Sequence, residues 1–168
     1  IFYAMSHGVN RANLKKGKSD SRSFFLDSLI NYLDDNINYD FYGYKNKQPI
    51  WGDNFYKALI NSKMGLNLSR GAPTKLYSSN RIASIMGNGL LTFIDKKTQF
   101  DKIFNKDEVV LYNNVRDLSE KINYYKKNNS ALIKIARNGQ KKYFNLFNEK
   151  KISKYIVDKS FGKSTSLF

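Results

Sequence analysis

Residues 77–112 read YSSNRIASIMGNGLLTFIDKKTQFDKIFNKDEVVLY, and this stretch decides the fold class. A polar opening leads into a helical pattern at 81–86, which Gly87 and Gly89 end. Two apolar runs, at 90–94 and 109–111, predict strands, and the amphipathic segment 100–104 between them predicts a helix. Helices and strands that alternate across short loops are typical of an α/β domain with a parallel sheet.

The rest of the chain continues this alternation on both sides of that stretch. One helix, capped by Ser19 or Asp20, is predicted from the spacing of Phe24, Phe25, Leu29 and Leu33. Further strands are predicted at 1–5, 39–44 and 64–68, and further helices at 54–62, 117–126, 131–147 and 152–157. With about five parallel strands between helices, the sequence predicts a Rossmann-like three-layer α/β domain over residues 1–160 and a flexible C-terminal tail at 161–168.

The composition limits the class of protein. Of 168 residues, 41% are apolar and 15% aromatic, so the chain can bury a core. It contains no cysteine, which excludes a disulfide framework and a thiolate metal site and favours a reducing compartment. No apolar run approaches the roughly 18 residues that a membrane span requires. Since the chain starts at Ile1 within a predicted strand, we expect it to be a fragment or to lack its beginning.

A net charge of +15 is the strongest compositional signal. It indicates an anionic partner, such as nucleotide phosphates, an acidic membrane surface or nucleic acid, although a lysine-rich solvated surface explains it equally well. Aromatic residues interleave with lysine, as in proteins that stack on bases, but their spacing at helix-core positions favours packing. Because the sequence has no recognisable nucleic-acid motif, we expect no sequence-specific nucleic-acid partner.

The first candidate site follows the first predicted strand, where doubly wound domains place a phosphate-binding turn. Gly8 lets the backbone approach a ligand, Arg11 can grip a diphosphate, and His7 is placed for a ligand contact. The alternative is an ordinary turn with a surface arginine and a structural histidine. The turn is neither a GxGxxG motif nor a Walker loop, and one histidine cannot build a histidine-rich metal site.

The second candidate site joins the loop after the strand at 64–68 to the start of the helix at 81–86. Its members are Ser69, Arg70, Tyr77, Ser78, Ser79, Asn80 and Arg81. Hydroxyl, amide and guanidinium donors at a helix start suit a phosphate, which the helix dipole also favours. Plain N-capping by serine and asparagine is an equally good explanation, and the two roles are compatible.

These residues also carry a family resemblance, which covers about residues 51–143. The matching pieces are Leu66-Asn67-Leu68-Ser69, Tyr77-Ser78-Ser79-Asn80-Arg81, Gly87-Asn88-Gly89, the strand ending in Asp95, the segment 107–112, and the helix starting at Asp117-Leu118. In this order they resemble the CgeB-like group of the group 1 glycosyltransferases, in the C-terminal, donor-binding half of the GT-B fold. The acidic residue that would hold the donor ribose in the family is absent near Ser84.

The resemblance implies a nucleotide-sugar-binding domain of a glycosyltransferase that transfers a sugar from a nucleotide diphosphate to an acceptor. Ser84 joins the predicted donor site, and an N-terminal domain would hold the acceptor. Without an Asp-x-Asp motif, we expect a metal-independent enzyme that needs no cofactor. We expect it in the cytoplasm, in cell-envelope polysaccharide synthesis, and peripheral contact with the anionic inner face of the membrane is left open. Two alternatives stay open: a catalytically degenerate GT-B scaffold and a basic nucleic-acid-binding module.

Overall fold

The computed structural model describes residues 1–5, 14–15, 18–19 and 21–166, the two short segments by their backbone alone. Its strands are β1 Phe2–Ala4, β2 Leu14–Lys15, β3 Lys18–Ser19, β4 Asp40–Tyr42, β5 Met64–Asn67, β6 Leu91–Asp95 and β7 Val110–Tyr112. Five of them form a parallel sheet in the order β4-β1-β5-β6-β7. The predicted Rossmann-like α/β architecture is confirmed.

The helices occur in the predicted order, three of them between strands and three after β7. They are α1 Ser21–Tyr32, α2 Gly52–Ile60, α3 Asn80–Gly87, α4 Val115–Lys127, α5 Asn129–Leu146 and α6 Glu149–Ser160. Within the described ranges, no helix is long and apolar enough to span a bilayer.

Two local features differ from the prediction. The expected helix at 100–104 is replaced by two short 3-10 helices, Lys96–Thr98 and Phe100–Lys102, because Gln99 between them adopts a left-handed φ of 58°. In addition, β2 and β3 pair as a small antiparallel ribbon that was not predicted, since that segment is polar and basic without apolar alternation.

The pleat of the strands divides the core between the two faces of the sheet. In β6, Leu91 and Phe93 belong to a cluster that includes Leu26 of α1 and Leu118 of α4. Ile94 points the other way and belongs to a separate cluster with residues of α3. Because successive side chains of a strand alternate between faces, the continuous apolar run at 90–94 marks a strand buried on both sides.

Helix α5 crosses from one face to the other past the amino ends of the strands. Leu132 packs in the cluster on the α1 and α4 face, whereas Tyr143 packs on the α3 face. Between them Gly139 passes so close to the loop before β7 that a methyl group there would lie 2.2 Å from the carbonyl oxygen of Glu108. Gln140 donates to the carbonyl oxygen of Gly87 at the end of α3, at 2.8 Å. Helix α5 therefore packs against the segments that lead into β6 and β7.

The strand order places a crevice at the opposite edge of the sheet, where the carboxyl ends of the strands lie. From β1 the chain goes to β4 on one side, and it then returns to β5 on the other side of β1. Such a change of direction is the topological switch point at which open α/β sheets bind ligands, outside the carboxyl ends of the strands. In this domain the switch point lies between Ala4 and Asn67, the last residues of β1 and β5.

Candidate functional site at the carboxyl edge

Arg81, the second residue of α3, spans this switch point. Its Nε donates to the carbonyl oxygen of Ala4 at 3.3 Å, and its Nη1 donates to the carbonyl oxygen of Leu68 at 2.8 Å. The guanidinium also lies over the ring of Tyr3, 5.2 Å from its centroid. Two strand ends and an aromatic ring thus fix the position of one charged group.

The charge of Arg81 meets no carboxylate among the described residues. The pKa of Arg81 is lowered, mainly by burial and to a smaller extent by Arg22, while Tyr3 and Tyr77 act in the opposite direction. The guanidinium nevertheless stays protonated. Arg22 of α1 is itself only 7% exposed, and its Nη1 lies 3.5 Å from the hydroxyl of Tyr3. The poorly solvated guanidinium of Arg81, which meets no carboxylate in the described structure, is costly without an anion, so this position favours an anionic ligand.

A cavity of about 300 Å³ opens beside these arginines, and we call it the arginine pocket. Its lining residues are Arg22, Ser69, Arg70, Thr74, Tyr77, Ser79 and Arg81. Five residues of the second predicted site therefore lie together.

Three further predicted residues do not line the arginine pocket. Ser78 and Asn80 are exposed beside it. Ser84 lies one turn further along α3 and donates its hydroxyl to the carbonyl oxygen of Asn80 at 2.9 Å.

The start of α3 is not capped by its serine. Ser79 occupies the N-cap position with φ −89° and ψ 161°, but its side chain makes no capping hydrogen bond. The hydroxyl instead donates to Oδ1 of the buried Asn67 at 3.4 Å. Because no side chain fills the capping role, the N-terminal end of the α3 dipole remains available to an anion.

A second cavity, of about 350 Å³, adjoins the first at the end of β1, and we call it the aromatic pocket. It is lined by Ala4, Met5, Pro49, Ile50, Trp51, Gly52, Phe55 and Tyr56. Trp51 is 70% exposed and Tyr56 57% exposed, although both are large aromatic residues. Ala4 links the two pockets, since it lines the aromatic pocket and accepts the hydrogen bond of Arg81.

Sequence reasoning missed the aromatic pocket. The segment around Trp51 contains no motif that indicates a ligand site. The one feature that could have indicated it is a tryptophan directly before a helix start.

The first predicted site, His7, Gly8 and Arg11, lies outside the described residues. The assignment of this site therefore stays a prediction. Met5, the last described residue before it, lines the aromatic pocket. Over residues 1–5 and 21–166, no cluster of three or more histidine, aspartate or glutamate residues is placed to hold a metal ion.

Comparison with known proteins gives one result at the level of the family. The sequence model described as glycosyl transferase-like matches residues 20–158, which include α1, β4–β7 and the residues of the arginine pocket. No significant match is found among curated proteins or solved structures. The expected relationship to glycosyltransferases is thereby confirmed, while the CgeB-like grouping stays a prediction. The chain belongs to the glycosyl transferase-like family.

Proposed function

We propose that this domain binds the nucleotide diphosphate sugar of a metal-independent glycosyl transfer. The observation that carries the proposal is the guanidinium of Arg81, held across the switch point without a carboxylate partner among the described residues. An acceptor held by a further domain would complete the reaction. The family supports glycosyl transfer in general, and the donor is inferred from the chemistry of the pockets.

The hydrogen bonds of Arg81 favour a diphosphate over a single carboxylate. A guanidinium has five N–H donors, and in the described structure two of them bond to main-chain carbonyls. The remaining donors of Arg81 suit an anion with several oxygens, and Arg22 and Arg70 line the same pocket. The open N-terminal end of α3 adds its dipole to the same position.

The aromatic pocket supplies the natural place for a nucleobase. A base stacks well on exposed aromatic rings, and Trp51 and Tyr56 offer them within a cavity that adjoins the arginine pocket through Ala4. We do not assign the ribose to Ser84, because its hydroxyl donates to Asn80 within α3 and Ser84 lines neither pocket.

In the transfer step these groups would act on the leaving diphosphate. Negative charge develops on it as the bond to the sugar breaks, and fixed cations and helix dipoles stabilise such charge without reorganisation. Because Arg81 is already held in place by two carbonyls, its orientation costs nothing further when the charge develops.

Isothermal titration calorimetry of the whole chain tests the proposal, with UDP, GDP, ADP and TDP as ligands and the corresponding nucleosides as comparisons. We expect at least one diphosphate to bind and its nucleoside to bind at least about 30-fold more weakly, since charge-assisted hydrogen bonds contribute roughly 1.5–3 kcal/mol each. Binding of no diphosphate, or equal binding of nucleoside and diphosphate, would refute it.

A matched pair of variants tests the base position. Trp51→Ala should weaken binding of the diphosphate roughly 5- to 100-fold, the range expected for loss of one stacked base. Tyr124→Ala removes a 55% exposed aromatic residue from α4, outside both pockets, and should leave the affinity unchanged.

A further inference from the structure

A third cavity, of about 180 Å³, continues from the arginine pocket towards β7, and we call it the tyrosine pocket. Its lining includes Arg22, Ser69, Asp95 and Tyr112. Arg22 and Ser69 line both cavities, so a ligand held by the arginines can extend into the tyrosine pocket without leaving the crevice.

The hydroxyl of Tyr112 is the unusual feature of this pocket. Tyr112 is fully buried, and its hydroxyl is the one buried side-chain polar atom in the described part of the chain that has no hydrogen-bond partner. Burial, with smaller contributions from Asp95 and Tyr3, raises the pKa of Tyr112 well above its ordinary value. The phenol therefore stays protonated and can donate a hydrogen bond to a bound group.

Asp95 provides an acceptor beside this donor. Asp95 and Tyr112 are paired residues at the ends of β6 and β7, so their side chains leave the sheet on the same face. Oδ1 of Asp95 accepts from the backbone N–H of Lys97 at 2.8 Å, and no other hydrogen bond to this carboxylate is found in the described structure.

This combination of groups selects the chemistry of the ligand. A phosphate carries only acceptors and would be repelled by Asp95, and an apolar group would leave the phenol unsatisfied. An alcohol hydroxyl both donates and accepts, and can bond to Tyr112 and Asp95 together. A sugar ring presents several such hydroxyls.

We propose that the tyrosine pocket is a subsite for a sugar ring, with the hydroxyl of Tyr112 and the carboxylate of Asp95 as its contacts. The assignment of a sugar, among ligands that carry hydroxyls, rests on the proposed function, because the pocket adjoins the position proposed for the diphosphate. The sugar of the donor is the occupant expected there. A sugar of the acceptor has the same chemistry and is distinguished by the experiment.

The experiment compares wild-type protein with Tyr112→Phe, using Tyr124→Phe on the exposed part of α4 as the control. The ligands are UDP and GDP, their glucose, galactose, N-acetylglucosamine and mannose conjugates, and the methyl glycosides of the same sugars. Affinities are measured by calorimetry and, for the glycosides, by saturation-transfer NMR. Because the hydroxyl has no protein partner, Tyr112→Phe should melt at the wild-type temperature or above it.

We expect Tyr112→Phe to weaken one sugar conjugate roughly three- to tenfold and to leave the free diphosphate unchanged. Weaker binding of a methyl glycoside alone supports the subsite with an acceptor sugar as its occupant. Equal loss for diphosphate and conjugate, no loss for any ligand, or a melting temperature several degrees lower would overturn the proposal.

The glycosides also separate this proposal from the proposed function. If wild-type protein binds no nucleotide, the donor role fails, but a glycoside that binds wild-type protein and not Tyr112→Phe still supports the subsite. If nucleotides bind and the sugar makes no difference in either protein, the donor role stands and the subsite fails.

Discussion

Helices α3 and α4 both begin beyond the carboxyl end of a strand in the same sheet, and each has an arginine as its second residue. At α4, Asn114 caps the helix by accepting from the N–H of Asp117 at 2.9 Å, and Asp117 accepts in return from the N–H of Asn113 at 2.8 Å. Arg116 is exposed and pairs with Glu120 one turn away. At α3 the serine makes no cap, and Arg81 turns back over the sheet to the ends of β1 and β5.

The difference shows how one local pattern serves two purposes. The first turn of α4 contains its own carboxylate, which offsets the positive end of the helix dipole. The first turn of α3 contains no acidic residue, and its arginine adds a further positive charge. One helix start is closed by its own side chains, and the other keeps the properties of an anion site.

The largest expected effect is on ligand affinity, and it distinguishes Arg81 from Arg116. Arg81→Ala should weaken binding of a nucleoside diphosphate about 10- to 100-fold, because one charge-assisted hydrogen bond contributes roughly 1.5–3 kcal/mol. Arg116→Ala removes the same side chain from the same helix position and should change the affinity less than about twofold, since its guanidinium is exposed. Calorimetry with both variants measures the contrast.

Thermal unfolding completes that test. Arg81→Ala leaves two carbonyls without donors but also removes a desolvated charge, so we expect a small net change in melting temperature. A variant that unfolds far below the wild type would show Arg81 to be structural, and one with native stability and native affinity would remove it from the site.

The capping contrast gives a smaller effect, on stability. Asn114→Ala should lower the free energy of unfolding by about 1 kcal/mol, because it removes the cap of α4. Ser79→Ala should lower it by about 0.5 kcal/mol or less, since the serine caps nothing and only its long hydrogen bond to Asn67, at 3.4 Å, is lost. Urea denaturation of both variants decides the point, and equal losses would mean that Ser79 stabilises the fold as much as the cap of α4 does.

The smallest expected effect concerns pH. Burial raises the pKa of Asp117, but hydrogen bonds from Lys121 and Asn113 outweigh it and hold that pKa below the ordinary 3.8. A lowered folded-state pKa stabilises the fold at pH values above 3.8, and this contribution is lost as the pH falls through the folded-state pKa.

The measurement is the difference in unfolding free energy between wild type and Asp117→Asn as a function of pH. Because the carboxylate is partly exposed, we expect the wild type to be more stable by only about 0.5 kcal/mol at pH 7 and low salt. The difference should shrink below pH 4, and a difference that grows on acidification would contradict the assignment.

The sheet could be predicted because its strands are buried on both faces. A continuous apolar run such as 90–94 has few alternatives between two turn signals, and it lies within one residue of β6. The segment 100–104 carries helix-like spacing as well, yet Gln99 takes up a left-handed conformation that local spacing does not encode. The short ribbon of β2 and β3 could not be predicted, because its sequence has no hydrophobic pattern.

The candidate site was predictable only in part. Arg81 could be predicted because helix N-termini that follow strands commonly bind anions. Four other residues of the same predicted site line its pocket. Whether a serine caps its helix depends on a competing partner, here Asn67 from another strand. The unpaired hydroxyl of Tyr112 and the exposure of Trp51 depend on neighbours distant in sequence, so no local pattern indicates them.

The path of α5 past the amino edge has a consequence for how the domain opens. Since Leu132 and Tyr143 pack on opposite faces of the sheet, α5 cannot detach without uncovering both cores. Amide hydrogens in the middle of α5 should therefore exchange with solvent only through global unfolding, as one cooperative unit with the sheet. The loops of the carboxyl edge lie at the opposite end of the strands and can exchange by local fluctuations. We therefore expect any motion that accompanies ligand binding to occur at the carboxyl edge.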